Sequence, residues 1–320
     1  MRKIKIFCTL GPSSLNKNFI KFAQKAKIDL VRLNMSHLSI KKLIENIKFI
    51  KKNSKLNICI DTEGAQIRTK VNKKKRLKIN QKIKIFRSVK FHFYPYNVFN
   101  KLKKNDLLEL GFDGLIIKII KKEKNFLTAL CVRNGDLEAN KGVHLINRKL
   151  KLNFLTDKDL EALKISKNLN IKYFALSFTN TPEDVIKFNK LLPGKTKIFK
   201  IETKQALNNF KKMQTNASEF LLDRGDLSKD ISIERIPYAQ RQLFKKKNKS
   251  NKIYIATNLL ESMIAKPYPT RAEANDIYNS IEMGASGLVL AAETAIGKYP
   301  KECVNFLKKI IFEFNRSKLN

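Results

Sequence analysis

Lys200 and Glu202 lie two residues apart in the run KIFKIET, so an extended chain turns both toward the same face. A second carboxylate, Asp226, closes the run EFLLDRGDL. Two carboxylates delivered by neighbouring strands could hold a hard divalent ion such as Mg²⁺ or Mn²⁺, which uses few protein carboxylates and keeps room for substrate oxygens. Arg32 and Lys200 supply positive charge suited to a phosphoryl group, and Gly225 stands in a turn ahead of a helix, where free backbone N–H groups can bind an anion. Together these groups suit an anionic, phosphorylated substrate and metal-assisted phosphoryl transfer or enolate chemistry. Further polar residues end other apolar runs: Asn34 and Ser36, Asp61 and Thr62, Ser177, Arg224, Thr257 and Glu293. Burying a polar group costs free energy unless it is paired or used. Any one of these residues could be a satisfied core group; gathered at one rim, they make an active site.

The elements that must gather them follow from the hydrophobic period, which switches repeatedly between strand and helix. Strand patterns over 4–10, 30–36 and 57–63 alternate with helical patterns over 14–27 and 40–54. From 70 to 141 the pattern changes to short β-like runs separated by turn residues. Alternation resumes with a helix over 156–170 opened by Thr156, then strands at 172–179, 197–203, 219–227, 252–258 and 287–294, each followed by a helix, the last running from 300 to the chain end. Eight strands and eight helices, interrupted once after the third strand, predict an α/β (β/α)8 TIM barrel over 1–69 and 142–320, with a small β-rich lid domain inserted at 70–141. Active residues of such a barrel come from the C-terminal strand ends. An open doubly wound sheet is the weaker alternative, because no GxGxxG or GxxxxGK[ST] loop follows the first strand.

Composition sets the limits. A chain of 320 residues with 43% hydrophobic content can bury a large core and is too apolar to be disordered. No apolar run approaches the roughly 20 residues of a membrane span, and the N-terminus enters a strand pattern without a signal-like segment, so a cytoplasmic protein with no membrane partner is expected. Four cysteines without a CxxC pair, and only three histidines, argue for buried free thiols over a zinc site or disulfides. The net charge of +38 invites a nucleic-acid reading, but lysines occupy the polar faces of helices throughout and form no aromatic-studded stripe. A Lys-rich solvated surface is the favoured account, with steering of anionic substrates toward a cleft as the weaker reading, and a nucleic-acid partner is not expected.

The segments IFCTLGPSS, VRLNMSH, DTEGAQIRT, NGDLEANKGV, LTDKDLEAL, FKIETKQALNNF, DRGDL, ATNLLESMIAKPYPTRAEANDI and AAETAIGKYP resemble, in order and over nearly the whole chain, the signature segments of the pyruvate kinase family. The resemblance implies Mg²⁺-dependent phosphoryl transfer from phosphoenolpyruvate to ADP, giving pyruvate and ATP in glycolysis. It implies that Lys200 neutralises developing charge, that Glu202 and Asp226 ligate the divalent metal, and that Arg32 contacts the transferring phosphoryl group. It assigns Arg224, Gly225, Asp226 and Thr257 to the substrate carboxylate, with Ser177 in the same substrate set. Thr257 would also help deliver a proton to the enolate carbon, Asn34, Ser36, Asp61 and Thr62 would hold a monovalent cation, typically K⁺, and His37, Arg68 and Lys141 would face the nucleotide, ADP or ATP. Homo-oligomers are compatible with the family.

The sequence departs from the family at several places. Glu63, Ala65 and Gln66 replace Lys, Pro and Glu of the segment usually written DTKGPEIRT, and Gln66 bears on potassium dependence. Asp223 stands where the family has alanine, Ser228, Ala292 and Leu38 replace glycines, and Ala291 replaces serine. A carboxylate at 223, ~4 Å from the substrate's own, would repel it by about 1 to 4 kcal/mol depending on screening. These departures keep two alternatives open: a diverged paralogue doing metal–enolate chemistry on another phosphoenolpyruvate-like compound, and a non-catalytic RNA-binding protein. The family's C-terminal effector-binding domain would begin where these residues end, so the sequence leads one to expect hyperbolic kinetics without a sugar-phosphate response.

Overall fold

The computed structural model describes residues 3–111 and 114–317. The chain divides into two compact units, Met1–Gly64 with Asp157–Asn320, and Ala65–Thr156.

In the first unit eight parallel strands close into a barrel: Lys5–Thr9, Leu30–Asn34, Ile58–Asp61, Tyr173–Leu176, Thr196–Ile201, Glu219–Asp223, Lys252–Ala256 and Gly287–Leu290. Each pairs with its sequence neighbours, and the last returns to the first with Lys5 opposite Gly287. Phe7, Leu30, Cys59, Ala175, Ile198, Leu221, Tyr254 and Val289, one from each strand, form a buried cluster. Phe199 and Phe220 pack instead with the helix residues Phe188 and Phe210. The alternation of faces within a strand separates these two sets.

Five of the helices start where short polar side chains take up free N–H groups. Asn16, Ser39 and Thr203 accept from Phe19, Lys42 and Ala206 ahead of Lys17–Lys25, Ile40–Asn53 and Lys204–Met213. Thr181 with Asp184, and Thr270 with Glu273, make reciprocal capping boxes at Pro182–Leu191 and Arg271–Glu282.

All eight strands stop before the ends that the sequence pattern suggests, the sixth and the eighth furthest from them. The sixth ends at Asp223 and the chain turns into the helix Arg224–Asp230. The eighth ends at Leu290 and is followed by the helix Ala292–Ala295. Asp226 and Glu293 therefore sit in helical turns beyond their strands. The strand between them, Lys252–Ala256, stops at Ala256, opposite Asp223 and Val289, so the ladders that it shares with both end there. The last helix, Pro300–Arg316, runs as expected; residues 318–320 of that expectation lie outside the described residues.

The second unit is a closed seven-stranded barrel in the order Phe126–Arg133, Lys82–Phe86, His92–Tyr94, Ile67–Lys70, Gly142–Leu145, Leu107–Leu110, Leu115–Lys122, with the pair Lys75–Leu77 and Gly135–Leu137 beside it. It extends beyond the 70–141 expected from pattern, because Ile67–Lys70 and Gly142–Leu145 pair antiparallel and complete its wall. Its core holds Ile85, Phe93, Phe99, Ile117, Leu127 and Val143.

All four cysteines are free and buried. Among the described residues no helix is long and apolar enough to cross a membrane.

Phe220 is fully buried and its ring lies 4.9 Å from that of Phe210. Phe220→Ala should lower the unfolding free energy by about 3–5 kcal/mol, measured by denaturant titration, because a rigid helix–strand contact cannot collapse around the lost ring.

Candidate active site

One group of buried polar residues of the first unit converges at the C-terminal ends of its strands. Lys200, near the end of the fifth strand, is buried with its ammonium 2.7 Å from Glu202 Oε1, 3.3 Å from Asp223 Oδ2 and 3.6 Å from Asp61 Oδ2. It also donates to Ser177 Oγ at 3.3 Å. Arg32 reaches Asp61 Oδ2 at 3.2 Å and donates from Nε to Thr9 Oγ1 at 3.0 Å. Ser177 donates to Asp61 Oδ1 at 3.1 Å, so it links the acid of the third strand to the base of the fifth.

Burial by itself pushes the Lys200 ammonium down, but Asp61, Glu202 and Asp223 outweigh it and hold it charged, above its ordinary range. Arg32 behaves alike, with burial opposed chiefly by Asp61 and Asp223. Glu202 is pushed up to about 8, first by burial and then by the charges of Asp226 and Asp223, against the pull of Lys200. Asp223 goes the other way: burial raises it, but Lys200, the Thr257 hydroxyl and Arg32 hold it below the usual carboxylate range. The two acids flank one ammonium yet differ because Glu202 also faces Asp226, whereas Asp223 receives a hydrogen bond from Thr257.

One carboxylate oxygen from each of Glu202, Asp223 and Asp226 lies within 4.8 Å of the other two. Glu202 Oε2 accepts from the Phe178 N–H at 2.5 Å, while Oε1 is buried against the Lys200 ammonium, 2.7 Å away. An all-oxygen, carboxylate-rich set fits a hard divalent cation such as Mg²⁺ or Mn²⁺.

Backbone strain aims several of these groups. Phe178 has φ +52° and Thr257 φ +76°, the latter a costly value for a β-branched residue. Thr257 Oγ1 donates to Asp223 Oδ1. Gly225 is required there, since a Cβ would approach Thr257 Cγ2 to 2.7 Å.

Arg224, expected to hold the substrate carboxylate, turns its guanidinium to the Thr257 and Asn258 carbonyls, at 2.7 and 3.2 Å, and to Asp276 at 2.6 Å. The side chain holds the strained turn after the seventh strand, and only its backbone is left for an anion. Glu293 likewise accepts from Leu260 N and Ala291 N, at 3.2 and 2.7 Å.

The residues expected around a monovalent cation are knitted together by protein donors. Asn34 Oδ1 accepts from Ser36 N at 2.9 Å, Thr62 Oγ1 from Ser177 N at 3.0 Å, and the Asp61 oxygens face Arg32, Ser177 and Lys200. The Lys158 ammonium donates to Met35 O at 2.6 Å and Glu63 Oε1 at 2.8 Å. Of the residues expected at the nucleotide, His37 is exposed in the short turn Met35–His37, whereas Arg68 and Lys141 belong to the second unit. There Arg68 donates to Asn140 O at 3.1 Å and Lys141 pairs with Glu138 at 2.9 Å.

Sequence reasoning missed Asp159. It is fully buried at the start of the helix Asp157–Asn168, and its carboxylate accepts from Glu63 N at 2.7 Å and Gly64 N at 3.1 Å. Gly64 itself has φ +68°, and a Cβ there would meet Ser177 O at 2.4 Å. In sequence an acid in a first helical turn reads only as a partner for the helix dipole.

The fold and this cation–carboxylate cluster define a (β/α)8-barrel enzyme with its polar site at the strand C-termini. Residues 1–304 match the family model "Pyruvate kinase, barrel domain". The pyruvate kinase of Thermotoga maritima is 33% identical over 98% of this chain and 71% of its own length. That of Methanocaldococcus jannaschii is 33% identical over 97% and 69%, and that of Staphylococcus epidermidis 32% over 97% and 56%. The chain belongs to the pyruvate kinase family, and is a pyruvate kinase-type enzyme.

Asp159→Ala removes the acceptor of two buried backbone donors in the loop that follows Asp61 and Thr62. An unfolding free energy lower by about 1–3 kcal/mol is expected in thermal or denaturant melts.

Proposed function

We propose that this chain transfers the phosphoryl group of phosphoenolpyruvate to ADP, giving ATP and pyruvate, with a divalent metal held by Glu202 and Asp226. The observation that carries the proposal is the buried Lys200 ammonium, 2.7 Å from Glu202 and near Arg32's partner Asp61. A fixed cation in a desolvated setting stabilises charge that develops during reaction far more than one in water. When bound, the divalent metal supplies Lewis-acid neutralisation of substrate oxygens.

The protein's own groups account for the remaining steps. Arg32 faces the phosphoryl oxygens. An ADP oxygen attacks phosphorus as the bond to the enol oxygen breaks, and Lys200 stabilises the negative charge left on that oxygen. The electron pair of the enolate takes a proton at its terminal carbon, with Thr257 placed to orient the water that donates it. The backbone N–H groups of Gly225 and Asp226 serve the substrate carboxylate, a role that falls to them because the Arg224 side chain is engaged elsewhere. His37, Arg68 and Lys141 are proposed to meet the nucleotide.

One observation favours the alternative of a paralogue acting on a different phosphoenolpyruvate-like compound: the Thr257 hydroxyl is already donated to Asp223. A coupled assay for pyruvate from phosphoenolpyruvate and ADP with Mg²⁺, run with and without K⁺, separates the two. Turnover supports the kinase; binding without pyruvate formation supports the alternative.

Lys200→Met should reduce kcat by roughly 10²–10³-fold or more in that assay. Melts run in parallel report stability, because methionine there leaves Asp61, Glu202 and Asp223 without their shared cation. Near-normal turnover by this variant would sink the mechanism.

A further inference from the structure

The positive charge of this chain is unevenly spread. Residues 65–156 hold 23 lysines and arginines against 6 acids, a net +17, whereas the remaining 228 residues carry +21. The smaller unit thus has nearly half of the charge on less than a third of the residues. A surface so biased attracts polyanions wherever they approach it. Charge by itself therefore singles out no site; the aromatic side chains do.

Strand pairing gathers them on one outer face of the seven-stranded barrel. Along Lys82–Phe86, His92–Tyr94 and Phe126–Arg133 the residues Ile85, Phe93 and Leu127 belong to the buried core. Alternation then turns Phe86, His92, Tyr94 and Phe126 outward, and each is partly exposed. The register sets Phe126 opposite Phe86 and Phe86 opposite His92, so these three form a row across neighbouring strands. The rings of Phe86 and Phe126 are 6.2 Å apart. Tyr96 stacks on the His92 imidazole at 5.5 Å and meets Tyr94 edge-on. The exposed Lys84 and Lys90 hold their ammonium groups 4.4 Å from the Phe126 ring and 5.4 Å from the Phe86 ring. Cross-strand aromatic pairs steady a sheet. That role does not call for Tyr96, which lies outside the strands and is 52% exposed. The stripe is invisible along the chain because Phe126 reaches the others only through pairing.

We propose that this face binds single-stranded RNA, with unpaired bases stacked on Phe126, Phe86 and the His92–Tyr96 pair and backbone phosphates met by Lys84 and Lys90. A partly exposed flat ring accepts the face of any base, and outward aromatics on neighbouring strands are a known way for a sheet to hold unpaired RNA. An exposed cation–π contact is weak, so the two lysines leave their rings for phosphates at small cost. Release of counterions from the RNA favours that exchange. The rings also decide the kind of nucleic acid. Bases of a duplex stack on one another and offer no face, whereas RNA presents unpaired bases in its loops and ends. The inference goes beyond the proposed catalysis, to which none of these residues is assigned.

The test is fluorescence anisotropy of a labelled, mixed-sequence single-stranded RNA of about ten nucleotides, titrated with the full chain. Single-stranded DNA of the same sequence, duplex RNA, heparin and phosphatidylglycerol vesicles are run in parallel. Tyr96→Ala and His92→Ala keep every lysine and should each weaken single-stranded RNA about 5- to 100-fold, the size of one lost base–aromatic stack. Heparin, which has charge but no bases, should bind both variants like wild type. Phe86→Leu keeps apolar bulk but removes the flat ring, and should act in the same direction; circular dichroism checks the fold of all three. Lys84→Gln combined with Lys90→Gln should flatten the log–log salt dependence by about 0.7 for each lysine. The same loss at Lys21 and Lys309, exposed on the first unit, should leave it unchanged. If the aromatic variants hold single-stranded RNA as tightly as wild type, charge alone binds it and the proposal fails. It fails equally if wild type does not bind the RNA. Tighter binding of single-stranded DNA, duplex RNA or vesicles, lost in Tyr96→Ala, would assign the face to that partner instead.

Discussion

An ammonium group held away from water by three carboxylates is the constraint around which the first unit is organised. Lys200 cannot be buried charged without partners, since desolvation alone would drive off its proton. Its partners, Asp61, Glu202 and Asp223, come from the third strand, the loop after the fifth, and the sixth strand. None can reach it unless parallel neighbours are in register, so the cluster and the closed barrel presuppose one another. The hydrophobic layer below makes that register cheap to keep; the ionic layer above is what gives it a use.

Around this centre the structure accepts local strain for directed polar groups. The left-handed residues Phe178 and Thr257 follow the fourth and seventh strands, and each places a donor on an acid of the cluster. Arg224 ties down the turn at Thr257 and Asn258, and Asp159 does the same for Glu63 and Gly64. Such support keeps first-contact groups in a narrow range of positions, which is what electrostatic stabilisation of a transition state requires.

The barrel was legible in the chain because its signal is local. Alternating periods and apolar strands covered on both faces each concern a few adjacent residues. Strand ends were less legible. Arg224, Gly225 and Asp226 continue a run that looks extended, but they turn into a helix where pairing with the strand Lys252–Ala256 ends. The inserted unit was recognised by its change of period, but its edges were not, because Ile67–Lys70 and Gly142–Leu145 are joined by pairing across the whole insertion.

By itself the sequence determined that residues such as Lys200, Glu202, Arg32 and Asp226 belong to one chemistry, since their types, their spacing on single strands and the order of their segments are properties of the chain. It could not determine what Asp223 faces, what occupies the Arg224 guanidinium, or that Asp159 holds the loop at Gly64. Those are contacts between elements far apart in sequence. Their energies depend on burial and on distances of about 3 Å, which exist only once the barrel has closed.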